Sequence, residues 1–142
     1  MMKFFFATLL AISSVYGADA PSAAGTWKLN LAKSNYSSNP NGAPREATLT
    51  ITDNGWTYTA TDASGKKSDF SSQGNDTITV KVEPTGNPYL HDTRFVVKES
   101  GKEVQRTVGA LLPDGKTLVS YSSGVTPDGK AFSDVSYWER VP

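Results

Sequence analysis

From Gly25 to the C-terminus the chain runs in short stretches that alternate apolar and polar residues, separated by glycine and proline turn signals, with no segment of helical period. The signals are Asp53-Asn54-Gly55, Ala63-Ser64-Gly65, Ser100-Gly101, Pro113-Asp114-Gly115 and Pro127-Asp128-Gly129. Each supplies a glycine for a positive φ or a proline for a preset one, so tight reversals are expected there. Between them the pattern predicts strands near 25–31, 46–52, 55–61, 66–71, 77–83, 93–99, 103–110, 116–122 and 132–140, eight or nine in all. Leu49 and Ile51 alternate with threonines, as do Trp56, Tyr58 and Ala60, while Ile78, Val80 and Val82 alternate with Thr79, Lys81 and Glu83. One face of such strands is apolar and the other wet. An all-β sheet of this size hides its apolar face and its edges by closing or by folding over, and sequential hairpins favour an antiparallel up-and-down β-barrel.

Two segments interrupt the meander. Residues 32–44, rich in Ser, Asn and Pro, read as a long first loop, and residues 83–92, with Pro84, Gly86 and Pro88, as a second. Long loops at a barrel end form its mouth or lid. The tetrapeptide Pro-Asp-Gly-Lys occurs at 113–116 and again at 127–130. Two copies read as successive hairpin turns on one side of a meander rather than as a solenoid repeat.

Ahead of this pattern, Lys3 is followed by the apolar run Phe4–Ile12 and then by small residues, the anatomy of a secretory signal. Cleavage is expected after Gly17, giving a signal segment 1–17 and one domain, 18–142. The apolar run is too short to span a bilayer and none like it follows, so no integral membrane association is expected. The 14 basic and 14 acidic residues cancel, and removal of Lys3 leaves one excess negative charge. That balance excludes a nucleic acid partner. With no cysteine, stability rests on packing, and with His91 as the sole histidine the usual zinc clusters are excluded. No metal and no cofactor are expected.

The segment Gly25-Thr26-Trp27-Lys28-Leu29-Asn30, followed by Ala32-Lys33-Ser34, resembles the opening of small exported bacterial lipocalin-like domains. The likeness continues through Thr85–Tyr89, Asp92-Thr93 and Asp114–Leu118 to the tail Tyr137-Trp138-Glu139-Arg140. This resemblance implies a calycin-type barrel around a pocket for a small apolar or amphiphilic ligand, in the periplasm or outside the cell. It also implies that Arg140 stacks on Trp27 to close one barrel end, a cation–π contact.

Candidate site residues follow from strand phase. Arg106 is in phase with Val104, Val108 and Ala110 on the expected inward face, and Glu139 with Val135 and Tyr137. If that face is inward, Arg106 meets an internal carboxylate such as Glu139 or anchors an anionic ligand head group; a bulge that flips the phase, or a face turned to water, leaves it exposed instead. Trp56, Tyr58 and Tyr121 are the aromatic residues expected to line the pocket. His91 is the only imidazole available as a general base, yet no Gly-x-Ser-x-Gly elbow accompanies it. The expected function is therefore binding of a small hydrophobic or amphiphilic ligand without enzymatic chemistry. Two alternatives stand beside it: an interaction module using long loops or a sheet edge to hold a protein partner of unknown identity, and a barrel enzyme working through Arg106 and Glu139.

Overall fold

A computed structural model describes residues 22–142; the signal segment read at 1–17 lies outside the described residues. Among the described residues nine strands form: β1 (Gly25–Asn35), β2 (Glu46–Thr52), β3 (Gly55–Thr61), β4 (Lys67–Ser71), β5 (Ile78–Glu83), β6 (Leu90–Val97), β7 (Glu103–Leu111), β8 (Thr117–Val125) and β9 (Ala131–Arg140). All ladders are antiparallel, in the order β4-β3-β2-β1-β9-β8-β7-β6-β5. The strands stand where the alternation predicts them. The two long loops are shorter than expected, because β1 continues to Asn35 and β6 begins at Leu90.

The sheet curls into a half-barrel. Phe95 on β6 and Phe70 on β4 are seven ladder steps apart, yet their ring centroids are 6.0 Å apart. Only strong coiling of the sheet brings them together. The curl stops short of closure, since no Cα of β4 lies within 8 Å of one in β5, well beyond the ~4.8 Å spacing of paired strands.

The ladder also fixes how the two edges meet. Neighbours alternate in direction along the sheet, so β4 and β5 point the same way and residues 72–77 cannot make a hairpin between them. This connector instead carries the chain from the end of one edge to the start of the other. It stays pinned to both sides, with Ser72 N donating to the Trp56 carbonyl (2.9 Å) and Lys98 N to the Thr77 carbonyl (2.9 Å). The edges are thus offset end to end, and packing of Trp56, Phe70 and Phe95 spans the seam.

The core lies at one end of the half-barrel. Trp27 is fully buried, packed with Ala23, Ala47, Leu111, Leu118 and Trp138, and flanked by Leu29, Leu49 and Ile51. The Arg140 guanidinium lies 4.4 Å over the Trp27 ring, as the resemblance implies. Each of its nitrogens reaches a main-chain carbonyl: Nε to Gly115 (2.8 Å), Nη1 to Ala24 (2.6 Å) and Nη2 to Ser22 (2.6 Å). Trp27 Nε1 donates to the Ala23 carbonyl at 2.9 Å, so both polar tips are satisfied. Gly25 is required here. Its φ of +139° is one that side chains rarely adopt, and a Cβ would stand 2.6 Å from Arg140 Nη1.

The two Pro-Asp-Gly-Lys copies make the β7–β8 and β8–β9 turns. They lie at opposite ends of the sheet rather than on one side. Successive turns of a meander flank a single strand and so must alternate ends.

Candidate functional site

Register assigns the two faces. Starting from buried Trp27, pairing carries the inner face through Leu49 and Tyr58 to Phe70, and through Arg140 and Trp138 to Leu118 and Leu111. The same alternation puts Trp56 and Tyr58 inside. Both are half-buried, as are Phe70 and Phe95, so these rings leave part of their surface to solvent. Val82 faces inward from edge strand β5 and is still 64% exposed, which marks the seam as the open side of the interior.

Moving away from the sealed end, the inner face of β7, β8 and β9 changes character. It passes from Leu111, Leu118 and Trp138 to Gly109, Ser120 and Ser136, and then to Thr107, Ser122 and Asp134. A polar strip therefore faces the aromatic side. Trp138 Nε1 donates to Ser120 Oγ (3.0 Å), the Thr107 and Ser122 hydroxyls share a hydrogen bond of 2.8 Å, and Gln105 Nε2 donates to Thr107 Oγ1 (3.1 Å). Beyond it, Gly124 leaves room for Phe132, whose Cζ lies 3.1 Å from where a Cβ would be.

The segment after β1 closes over this strip. Five residue steps of β1, from Asn30 to Asn35, oppose only two of β9, from Tyr137 to Val135. The bulge lifts β1 off its partner. Ser34 bridges the break, its Oγ accepting from Tyr137 N (3.0 Å) and donating to the Asn30 carbonyl (2.7 Å). The chain then returns inward: Tyr36 Oη lies 2.6 Å from Ser136 Oγ, Ser38 Oγ donates to the Ser133 carbonyl (2.7 Å), and Asn39 Nδ2 donates to Asp134 Oδ2 (2.9 Å).

Asp134 is the unusual member of this group. It is 6% exposed, and among the described residues its Oδ1 is buried without a hydrogen-bond partner. Burial raises its carboxyl above the ordinary value, against the opposing effect of the Asn39 hydrogen bond. Tyr58, edge-on to Trp138 at 6.2 Å, is pushed up to about 12, chiefly by burial and further by the nearby Tyr36 and Asp134. Tyr36 is likewise raised by burial, with its Ser136 hydrogen bond acting the other way. Tyr36, Tyr58, Asp134 and Ser136 thus form one buried polar cluster between the aromatic side and the strip.

Arg106 is elsewhere, on the outer face. Its Nε and Nη2 grip Asp92 Oδ1 and Oδ2 at 3.0 and 2.7 Å. The Arg106 hydrogen bonds hold the Asp92 carboxyl below its usual value. Arg94, directly opposite Arg106 in the ladder, lies 3.2 Å from Glu103 and 3.8 Å from Glu83. These acids offset the like-charge juxtaposition. Glu139 is also outward, accepting from Asn30 Nδ2 at 2.8 Å, so the expected Arg106–Glu139 pair does not form. Tyr121 projects outward as well, 52% exposed between Val108 and Val135 in the ladder. The phase expected for β7 and β9 is reversed because the interior at this level is polar, and the valines and tyrosines of these strands form cross-strand pairs on the exterior instead. His91 stands on β6 opposite Gly109, not in a loop.

No protein-family profile matches the chain, and no curated protein matches its sequence. Among solved structures, it is similar to zebrafish ileal bile acid-binding protein complexed with cholic acid, at a TM-score of 0.45 and 11% identity over 83% of this chain and 98% of that one. It is also similar to the siderocalin Ex-FABP, which functions through dual ligand specificities, at a TM-score of 0.48 and 14% identity over 83% of this chain and 73% of that one.

Proposed function

We propose that the half-barrel is a non-enzymatic binding domain that takes up a small amphiphilic molecule along its inner face, in a protein exported after loss of residues 1–17. The observation that carries this reading is the incompletely covered aromatic lining. Trp56, Tyr58, Phe70 and Phe95 face inward and each keeps part of its surface open, beside an edge where inward-facing Val82 is 64% exposed. Apolar surface left open inside a concavity gains free energy when a ligand covers it, at roughly 25 cal/mol per Å² removed from water. The sealed end supplies a rigid floor. The resemblance of the first strand to lipocalin-like domains points the same way, and so does the Trp27–Arg140 stacking.

The test is a fluorescence titration with the neutral probe N-phenyl-1-naphthylamine, with Trp56→Ala as the comparison. Saturable enhancement is expected for the wild type, with affinity about tenfold weaker in the variant, the equivalent of about 1.4 kcal/mol. A wild type that leaves the probe dark would remove the reading. Native mass spectrometry of protein taken gently from its source, followed by organic extraction, then identifies the natural cargo.

A second reading is favoured by the seam. β4 and β5 each present an unpaired edge, and such edges accept an added strand from a partner protein. Charge on the exposed β4 side chains Lys67 and Asp69 works against promiscuous pairing. Pull-downs that recover a stoichiometric protein partner, with no small molecule extracted, would favour this reading.

A further inference from the structure

Resting on the binding reading above, we propose that Asp134 is the polar anchor of the ligand site and that the preferred ligand is a cationic amphiphile: a protonated amine on a flat or fatty apolar body. The case is geometric. Asp134 faces inward from β9, nine-tenths buried, and spends one oxygen on Asn39 while Oδ1 has no partner among the described residues. A buried carboxylate oxygen left unpaired costs free energy, which a donor arriving with the ligand recovers.

No other carboxylate and no unpaired lysine or arginine of the described strands faces the interior by register. By register, the ionisable side chains on the inner face are Tyr58, His91, Asp134 and Arg140, joined by Tyr36 from the segment after β1. Arg140 is consumed at the sealed end by three carbonyls and the Trp27 ring. The remaining arginines described on the sheet, Arg94 and Arg106, are outside and paired with acids. An anionic head group would therefore meet Asp134 with no counter-charge, whereas an ammonium meets a carboxylate flanked by the Tyr36, Ser122 and Ser136 hydroxyls. Charge-assisted hydrogen bonds of this kind are the stronger class. The nearby rings add to the same preference, because aromatic faces attract cations and repel anions.

Three probes that share one apolar body separate the head group from the pocket: 1-naphthylmethylamine, 1-naphthylmethanol and 1-naphthoate, titrated calorimetrically at pH 7. The amine is expected to bind at least tenfold tighter than the alcohol, and naphthoate weakest. Asp134→Asn, which keeps the side-chain shape, should bring the amine down to about the affinity of the alcohol, abolishing the wild type's preference between the two. Equal binding of amine and alcohol to the wild type, or an amine affinity untouched by Asp134→Asn, overturns the anchor while the binding reading stands. If none of the three binds and N-phenyl-1-naphthylamine also stays dark, both fall together. The wild-type series decides the head-group preference even if the variant proves unstable.

Discussion

Arg140 and Asp134 lie on the same strand and point into the same interior, yet the protein treats these two charges in opposite ways. Arg140 is surrounded: three carbonyls accept its protons and an indole face covers its plane. Asp134 is buried at least as well, but receives one side-chain hydrogen bond and leaves an oxygen bare. A charge held through all three of its nitrogens is cement. One that is matched by half is either a defect or a binding site, and burial beside half-covered aromatic rings argues for the site. On the proposed reading, the sealed end and the polar strip divide the labour of one small sheet, with stability concentrated at the first and recognition at the second.

That division can be attacked from the strong side first. Trp27→Ala is expected to cost about 3–5 kcal/mol, as for other large buried aromatics, read as a fall in the urea midpoint. A loss below about 1 kcal/mol would mean that the sealed end is not where stability resides. Gly25→Ala should be milder, at about 1–3 kcal/mol, because it forces a side chain into an unfavourable φ and against the Arg140 guanidinium. Its cost should shrink in an Arg140→Ala background, since part of it is a clash with that side chain.

The smallest effect is the most diagnostic, because it has a sign. The Asp134 carboxyl is raised above its ordinary 3.8, so the stability it contributes is fully present below pH 3.8 and is lost as pH rises through its folded value. Asp134→Asn should therefore be more stable than the wild type at neutral pH, with the advantage fading in acid. Asp92 is lowered by Arg106, so its contribution is present above pH 3.8 and is lost as pH falls through its folded value. Asp92→Asn should be less stable than the wild type at neutral pH and converge with it in acid. Urea midpoints of the three proteins between pH 2 and pH 7 would show difference curves of opposite sign. Two curves of the same sign would erase the distinction between a paired outer carboxylate and an uncompensated inner one.

The architecture was readable because threonine, glycine and proline are local signals: strand positions and turns need only neighbouring residues to be recognised. Facing was readable on β2, β3 and β5, where apolar residues alternate with polar ones and the apolar set does point inward. It failed on β7 and β9. There Val104, Val108, Val135 and Tyr137 are outside while Gln105, Thr107, Asp134 and Ser136 are inside. The rule that apolar means inward presumes a dry interior, and here the interior is wet away from the sealed end. Trp56 and Tyr58 are on the inner face as their alternation suggests, whereas Arg106 and Tyr121, named as pocket candidates, are on the outer one. A signal for Asp134 did exist: if Arg140 stacks on Trp27, steps of two along β9 carry the inner face through Trp138 and Ser136 to Asp134. Tyr36 gave no such signal, because the bulge before it breaks the count.

All the ladders but one join strands adjacent in sequence, and the exception, β1 with β9, joins the two ends of the described chain. Hairpins between neighbours form early and cheaply, whereas pairing partners more than a hundred residues apart carries the largest closure entropy. The Trp27–Arg140 stack, the Tyr36–Ser136 contact and the Asn39–Asp134 contact all depend on that one pairing. Floor and proposed anchor therefore share one requirement: a chain that has not paired β1 with β9 lacks both, so the proposed site cannot precede the completed sheet.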